Sequence, residues 1–154
     1  MRDLIFISYS HKDKKWLTAL RTMLKPLAKK LPVEVWDDTR IRTGQQWRAE
    51  IEQALERACV AVLLVSPDFL ASDFIAEHEL PPLLKAAEQE GLVIVCLHIS
   101  HCLYDETDLE HYQAVNDPSQ TLDLLSVAER NRLLARVCRE LKALALLSQN
   151  FTDF

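Results

Sequence analysis

A chain of 154 residues, 49% apolar and 27% charged, has the size of one domain and can bury roughly two-thirds of the surface its unfolded form exposes. Only two glycines are present, which argues against a glycine-rich phosphate loop and against a turn-dense all-β fold. The net charge of −5 is too mild and too negative for a surface that binds nucleic acid directly.

The four cysteines, Cys59, Cys96, Cys102 and Cys138, show neither CxxC nor Cys/His metal spacing. Cys59 and Cys96 lie in apolar runs and read as small core residues. The histidines show no zinc-like spacing either, so no metal is expected. Without a secretory leader or a membrane-length apolar run, the expected setting is a reducing cytoplasm with no membrane contact.

In chain order, the apolar run Leu4-Ile5-Phe6-Ile7 predicts a buried strand over residues 3–8, followed by the polar string Tyr9-Ser10-His11-Lys12-Asp13. Trp16, Leu17, Leu20, Met23, Leu24 and Leu27 recur at helical spacing, with Pro26 expected to kink that helix late or shorten it. Lys12, Lys14, Lys15, Lys25, Lys29 and Lys30 read as its solvated face. A second strand over 33–36 ends in Asp37-Asp38, and a loop leads to a helix carrying Trp47, Ile51, Ala54 and Leu55 on one apolar face. On that reading Trp47 belongs to the core, although its ring, like that of Trp36, could instead offer a face for stacking on a planar base.

The third strand spans 59–65. A helix over 72–90 follows, with Ser72 as N-cap, Asp73 near its positive end and Pro81-Pro82 bending or restarting it. Gly91 closes it, and residues 92–99 form a fourth strand. The segment 100–125 reads as irregular, with a short edge strand near 112–115. Ser126 and Glu129 form a capping box for a last helix ending near 146.

Strands buried on both faces that alternate with helices predict an α/β fold. The expected form is a flavodoxin-like three-layer sandwich: a parallel sheet of four or five strands flanked by helices, in the order 2-1-3-4-5. Residues 1–147 are expected to form the domain, and 148–154 a tail or truncated linker.

Three strand ends carry polar clusters that should meet at one edge of such a sheet: Ser8 to Asp13, Trp36 to Arg40, and Ser66 to Glu79. One such cluster is usually only caps and turns. Three at a single edge make a candidate site. Ser66 has no Ser/His/Asp arrangement around it. Asp37 and Asp38 pair as acids do in receiver domains, but the first strand end holds Ser8-Tyr9-Ser10 where a third acid is needed.

Taken together these segments resemble a TIR domain, of the Toll/interleukin-1 receptor family, in its bacterial form. The resemblance covers residues 1–145. It rests on Phe6-Ile7-Ser8-Tyr9-Ser10-His11-Lys12-Asp13, on Val35-Trp36-Asp37-Asp38 through Ile41, Gly44 and Trp47, and on Ser66-Pro67-Asp68-Phe69-Leu70-Ala71-Ser72 with Phe74 and Glu79-Leu80. The second motif is similar to the family's BB loop, over 39–46 here.

The resemblance implies either assembly with other TIR domains alone, or cleavage of the nicotinamide–ribose bond of NAD⁺ by a helix-borne glutamate. By position Glu79 matches that glutamate. The spacing from Phe74 is one residue longer than the family pattern, which leaves Glu77 as the rival carboxylate and His78 at the shorter spacing. Phe6, Ser8, Ser10, Trp36, Asp38, Arg40, Ser66 and Ser72 are the candidate NAD⁺-contacting residues, with Arg40 and Arg42 able to meet pyrophosphate or a second protomer.

NAD⁺ would be substrate, with no other cofactor. The product would be nicotinamide with ADP-ribose or a cyclic ADP-ribose. The implied setting is a self-associating effector of bacterial defence, with a sensor domain elsewhere in a longer protein. Two rivals remain: a non-catalytic TIR interaction scaffold, and a deoxyribosyltransferase-like enzyme that the BB-loop pattern fits less well.

Overall fold

Every side chain of Ala58–Val65 (β3) is buried, because this strand runs through the middle of a sheet covered on both faces. The computed structural model describes residues 2–41 and 46–152. In it β1 (Leu4–Ser8), β2 (Glu34–Trp36), β4 (Val93–His98) and β5 (Gln113–Ala114) join β3 in a five-stranded sheet. All pairings are parallel and the order is β2-β1-β3-β4-β5. This is the flavodoxin-like order expected from the sequence.

The helices are α1 (Lys14–Ala28), α2 (Trp47–Arg57), α3 (Pro67–Ala71), α4 (Leu80–Gln89) and α5 (Val127–Thr152). Strand side chains alternate between faces. Ile5, Ile7, Val60 and Val62 point to the layer of α1 and α5, where they meet Leu17, Leu20 and Leu141. Leu4, Phe6, Ala61 and Leu63 point the other way, to Ile51, Leu55 and Leu83 of α2 and α4. Ser8 shares the parity of Leu4 and Phe6, so it ends its strand on the α2 and α4 side. That parity positions the site described below.

Two elements differ from expectation. Pro26 is not one of them: it lies in the last turn of α1, which ends two residues later at Ala28, and only one backbone bond near a fraying end is lost there. The α5 helix continues to Thr152 instead of ending near 146, so residues 148–152 extend the helix. Its start is as expected: Ser126 N–H donates to Glu129 Oε1 (3.3 Å) and Glu129 N–H to Ser126 Oγ (3.2 Å).

The second difference bears on function. Residues 67–71, read as loop, form the short helix α3. The helix expected over 72–90 contains a π turn at Ile75–Glu79 before α4. Ser72 does cap it, accepting from Ile75 N–H at 3.2 Å. The Leu80 N–H then reaches Ile75 O, five residues back.

Pro81 and Pro82 explain the wide turn. Neither has an N–H for the carbonyl four residues earlier, and a proline ring collides with that carbonyl in a regular α-helix. Opening the turn by one residue relieves the collision. The prolines then fall in the first turn of α4, where a missing N–H costs least. This agrees with the expected restart at Pro81-Pro82: α4 begins at Leu80, directly after the π turn.

Gly91 closes α4 at φ 78°, with Leu92 N–H returning to Ala86 O at 3.3 Å. The segment 100–125 holds 3₁₀ turns at Tyr104–Glu106, Asp108–His111 and Leu122–Leu124 around the edge strand β5. Among the described residues, no helix is long and apolar enough to cross a membrane.

Candidate functional site

At the C-terminal edge of the sheet, the loops after β1 and β2, the start of α2 and the π turn enclose a cleft of about 530 Å³. Open α/β sheets bind ligands at this edge, and the volume is within the range of small-molecule sites. Each loop is fixed by its own polar side chains. Ser10 accepts from Lys12 N–H (3.3 Å) to cap the turn after β1. The buried Asp13 at the end of that turn accepts from Ser66 Oγ and so ties it to the end of β3. After β2, the fully buried Asp37 accepts from Thr39 N–H (2.9 Å) and pairs with Arg21. The turn that Asp37 caps, Asp38–Arg40, carries Asp38 into the cleft.

Glu79 ends the π turn and forms part of the cleft wall, with only 5% of its surface exposed. Ser8 Oγ donates to its Oε1 at 2.6 Å. Burial pushes the Glu79 carboxyl up to about 7, and the nearby Asp38 adds to the rise, while the Ser8 hydroxyl and His11 oppose it. Asp38 has a partner on each oxygen: Tyr9 Oη donates to Oδ1 at 2.7 Å, and His11 Nε2 lies 2.5 Å from Oδ2. Burial, aided by Asp38, raises the Tyr9 phenol far above its ordinary value, so it remains a donor.

One rim of the cleft is aromatic. Trp47 and Phe74 rings lie 5.5 Å apart, and Phe74 and His78 rings 5.1 Å apart. Trp47 is 46% exposed, which corrects its assignment to the core. It shares a helix face with Ile51, Ala54 and Leu55, which are buried. As the first residue of α2, however, it lies at the cleft, with its ring against Phe74 and His78.

The structure brings Glu79, Asp38, Ser10 and Ser72 to the cleft, with Ser8 directly behind Glu79. Four other candidate contacts lie elsewhere. Phe6 and Trp36 stack on each other (5.1 Å, 22° between planes) and are buried in the core below α2, so they form no cleft wall. Ser66 is buried as the N-cap of α3, accepting from Phe69 N–H at 3.0 Å. Arg40 folds back onto Val35 O (2.9 Å) and Glu34 (2.6 Å) and does not line the cleft.

Glu77 is exposed on the opposite side of its turn from the buried Glu79. Arg42 and Gly44 of the BB-loop motif lie outside the described residues. Tyr9, His11, Ile41, Ile51 and Phe74 line the cleft without having been proposed as contacts. Tyr9 and His11 had a signal, since they interleave with Ser8 and Ser10 at the same strand end.

Comparison with known proteins agrees with this architecture. Residues 5–134 match the family model described as TIR domain. The chain is 28% identical over 98 residues to the uncharacterized protein y4lF of Sinorhizobium fredii (strain NBRC 101917 / NGR234), a match covering 64% of this chain and 30% of that protein. This chain therefore matches less than a third of that relative's length. The solved TIR domain of the Toll-related receptor TRR-2 from Hydra magnipapillata has a likeness of fold, with a TM-score of 0.51 at 20% identity, covering 88% of this chain and 97% of that one. The family match spans most of the sequence and the fold agrees with it: the chain belongs to the TIR domain family.

Proposed function

We propose that this TIR domain is an NAD⁺ nucleosidase that releases nicotinamide and leaves ADP-ribose or a cyclic ADP-ribose. Its setting would be a self-associating effector module of bacterial defence, governed by a sensor domain in a longer protein. The observation that carries the reading is Glu79: a buried carboxylate on the wall of a largely apolar cleft, hydrogen-bonded to Ser8 and rimmed by Trp47 and Phe74.

The chemistry needs little more. The nicotinamide ring of NAD⁺ is cationic, so its approach favours the ionised form of Glu79 over the proton it holds up to about pH 7. The C1′–N bond breaks with its electron pair passing to the ring nitrogen, which neutralises the pyridinium. The ribose C1′ is left oxocarbenium-like, as in glycoside cleavage. An ionised Glu79 stabilises that charge and accepts a hydrogen bond from a ribose hydroxyl. Water, or an adenine nitrogen of the same molecule, then captures C1′. Trp47 and Phe74 offer ring faces to the planar bases.

The test is nicotinamide release from NAD⁺ by the wild type, Glu79→Gln and Glu77→Gln at high protein concentration. We expect Glu79→Gln to lower the rate by about a hundredfold or more and Glu77→Gln to leave it near wild type. Loss in Glu77→Gln with retention in Glu79→Gln would move the catalytic role to the exposed carboxylate. The exposed pair of Trp47 (46%) and Phe74 (36%) favours a second reading, a non-catalytic docking scaffold. Self-association with no NAD⁺ loss under any assembling condition would establish that reading instead.

A further inference from the structure

We propose that His11 and Asp38 form a general-base dyad that delivers the capturing water to the ribosyl centre, and so set how much of the substrate is hydrolysed. This inference rests on the NAD⁺ reading of the cleft and adds the second half of the reaction, which Glu79 does not perform.

The hydrogen bonds assign the roles. Asp38 Oδ1 accepts from the Tyr9 phenol at 2.7 Å, and Oδ2 lies 2.5 Å from His11 Nε2. In the proposed dyad Oδ2 accepts from His11, so Nε2 carries the hydrogen. In the neutral ring Nδ1 is then the free acceptor. A base oriented by a third group in this way is the arrangement that activates a nucleophile. Tyr9 in turn pins the aspartate, and its strongly raised pKa keeps it protonated.

Position fits the same task. His11 and Asp38 line the cleft that Glu79 lines. The His11 side chain is 77% exposed, whereas Glu79 is 5% exposed. The carboxylate is therefore at the dry end and the imidazole at the end where water enters. The step balances simply. The water oxygen bonds to C1′, one water proton goes to His11 Nδ1, and the imidazolium returns it to solvent. An intramolecular adenine nitrogen, or an added pyridine base, needs no such proton acceptor before it attacks.

The experiment measures partition rather than rate alone. Wild type, His11→Gln and Asp38→Asn are incubated with NAD⁺ and 3-acetylpyridine, and the exchanged dinucleotide is measured against ADP-ribose. We expect the ratio of exchange to hydrolysis to rise about tenfold in both variants. His11 is exposed, so its replacement leaves the core intact. A ratio unchanged in both variants, or a KM increase with no change in ratio, overturns the dyad and makes His11 a phosphate contact. If the wild type releases no nicotinamide, the NAD⁺ reading fails and the dyad with it.

Discussion

Glu79 holds a proton where a carboxyl ordinarily has none, and the sign of that shift makes two measurements diverge. Its folded pKa is about 7 against an ordinary 4.5. The folded state thus binds this proton more tightly than the unfolded chain. Stability is fully present below about pH 4.5, falls as pH rises to about 7, and is flat above that. A gap of about 2.5 units corresponds to about 3 kcal/mol. Glu79→Gln keeps a partner for Ser8 and removes the charge, so it should raise the melting temperature at pH 8 and leave it nearly unchanged at pH 4.5. An equal shift at both pH values would show that Glu79 is not held near neutrality. Nicotinamide release should run the other way, climbing through pH 7 as the carboxylate ionises. The reactive form is the costlier one to bury.

The same scale shows why some candidate residues were legible and others were not. Glu79 stood out through the resemblance to a TIR domain, which the three strand-end segments carry together, and it does line the cleft. Ser66 and Arg40 have the chemistry of ligands too, but a serine hydroxyl that caps α3 and an arginine that folds back on Glu34 satisfy that chemistry locally. Sequence does not separate a cap from a contact when both need the same atoms. Phe6 and Trp36 failed as cleft walls for a related reason: their stacked rings fill the layer beneath α2, and parity along a strand says which face is taken but not how far the cleft extends over it.

Among the elements, the strands were readable because a strand covered on both faces must be apolar throughout. The π turn was readable only as its consequence, one residue too many between Phe74 and Glu79. Deletion of His78 tests that account. With His78 removed, Leu80 N–H would reach Ile75 O at four residues instead of five, which converts the turn to a regular α-helix while Ile75 and Glu79 remain on the buried side. We expect this variant to fold, with a loss of about 3 kcal/mol set by the restored proline collision. Deletion of Lys85 in α4 has no extra residue to absorb. It would rotate Ala86 off the core face against Leu83 and should melt far lower. Equal melting temperatures for the two deletions, measured by circular dichroism, would show that the π turn is not an insertion.

At the scale of the molecule, the two ends of the sheet are built differently. The end away from the cleft is cross-linked: Arg57 pairs with Asp3 (2.9 Å) and Glu34 (3.0 Å), and Arg2 donates to Leu55 O and Ala58 O. The cleft end is tied by hydrogen bonds between its loops, Ser66 to Asp13, Tyr9 to Asp38 and Ser8 to Glu79, but is open on its aromatic side, with Trp47 and Phe74 both exposed. A developing oxocarbenium charge is stabilised most when water is excluded and the surrounding dipoles are fixed. One chain leaves this rim uncovered, and a second chain seated on Trp47 and Phe74 would cover it. If the covered form is the active one and most chains are single, mass action makes activity per chain rise with concentration. A tenfold increase in protein should then raise nicotinamide release per chain by nearly tenfold, until the chains are mostly paired. Crowding agents should give the same rise at fixed concentration, and Trp47→Ser should weaken the dependence as well as the rate. Activity per chain that stays constant over a hundredfold range would mean that one chain closes its own cleft.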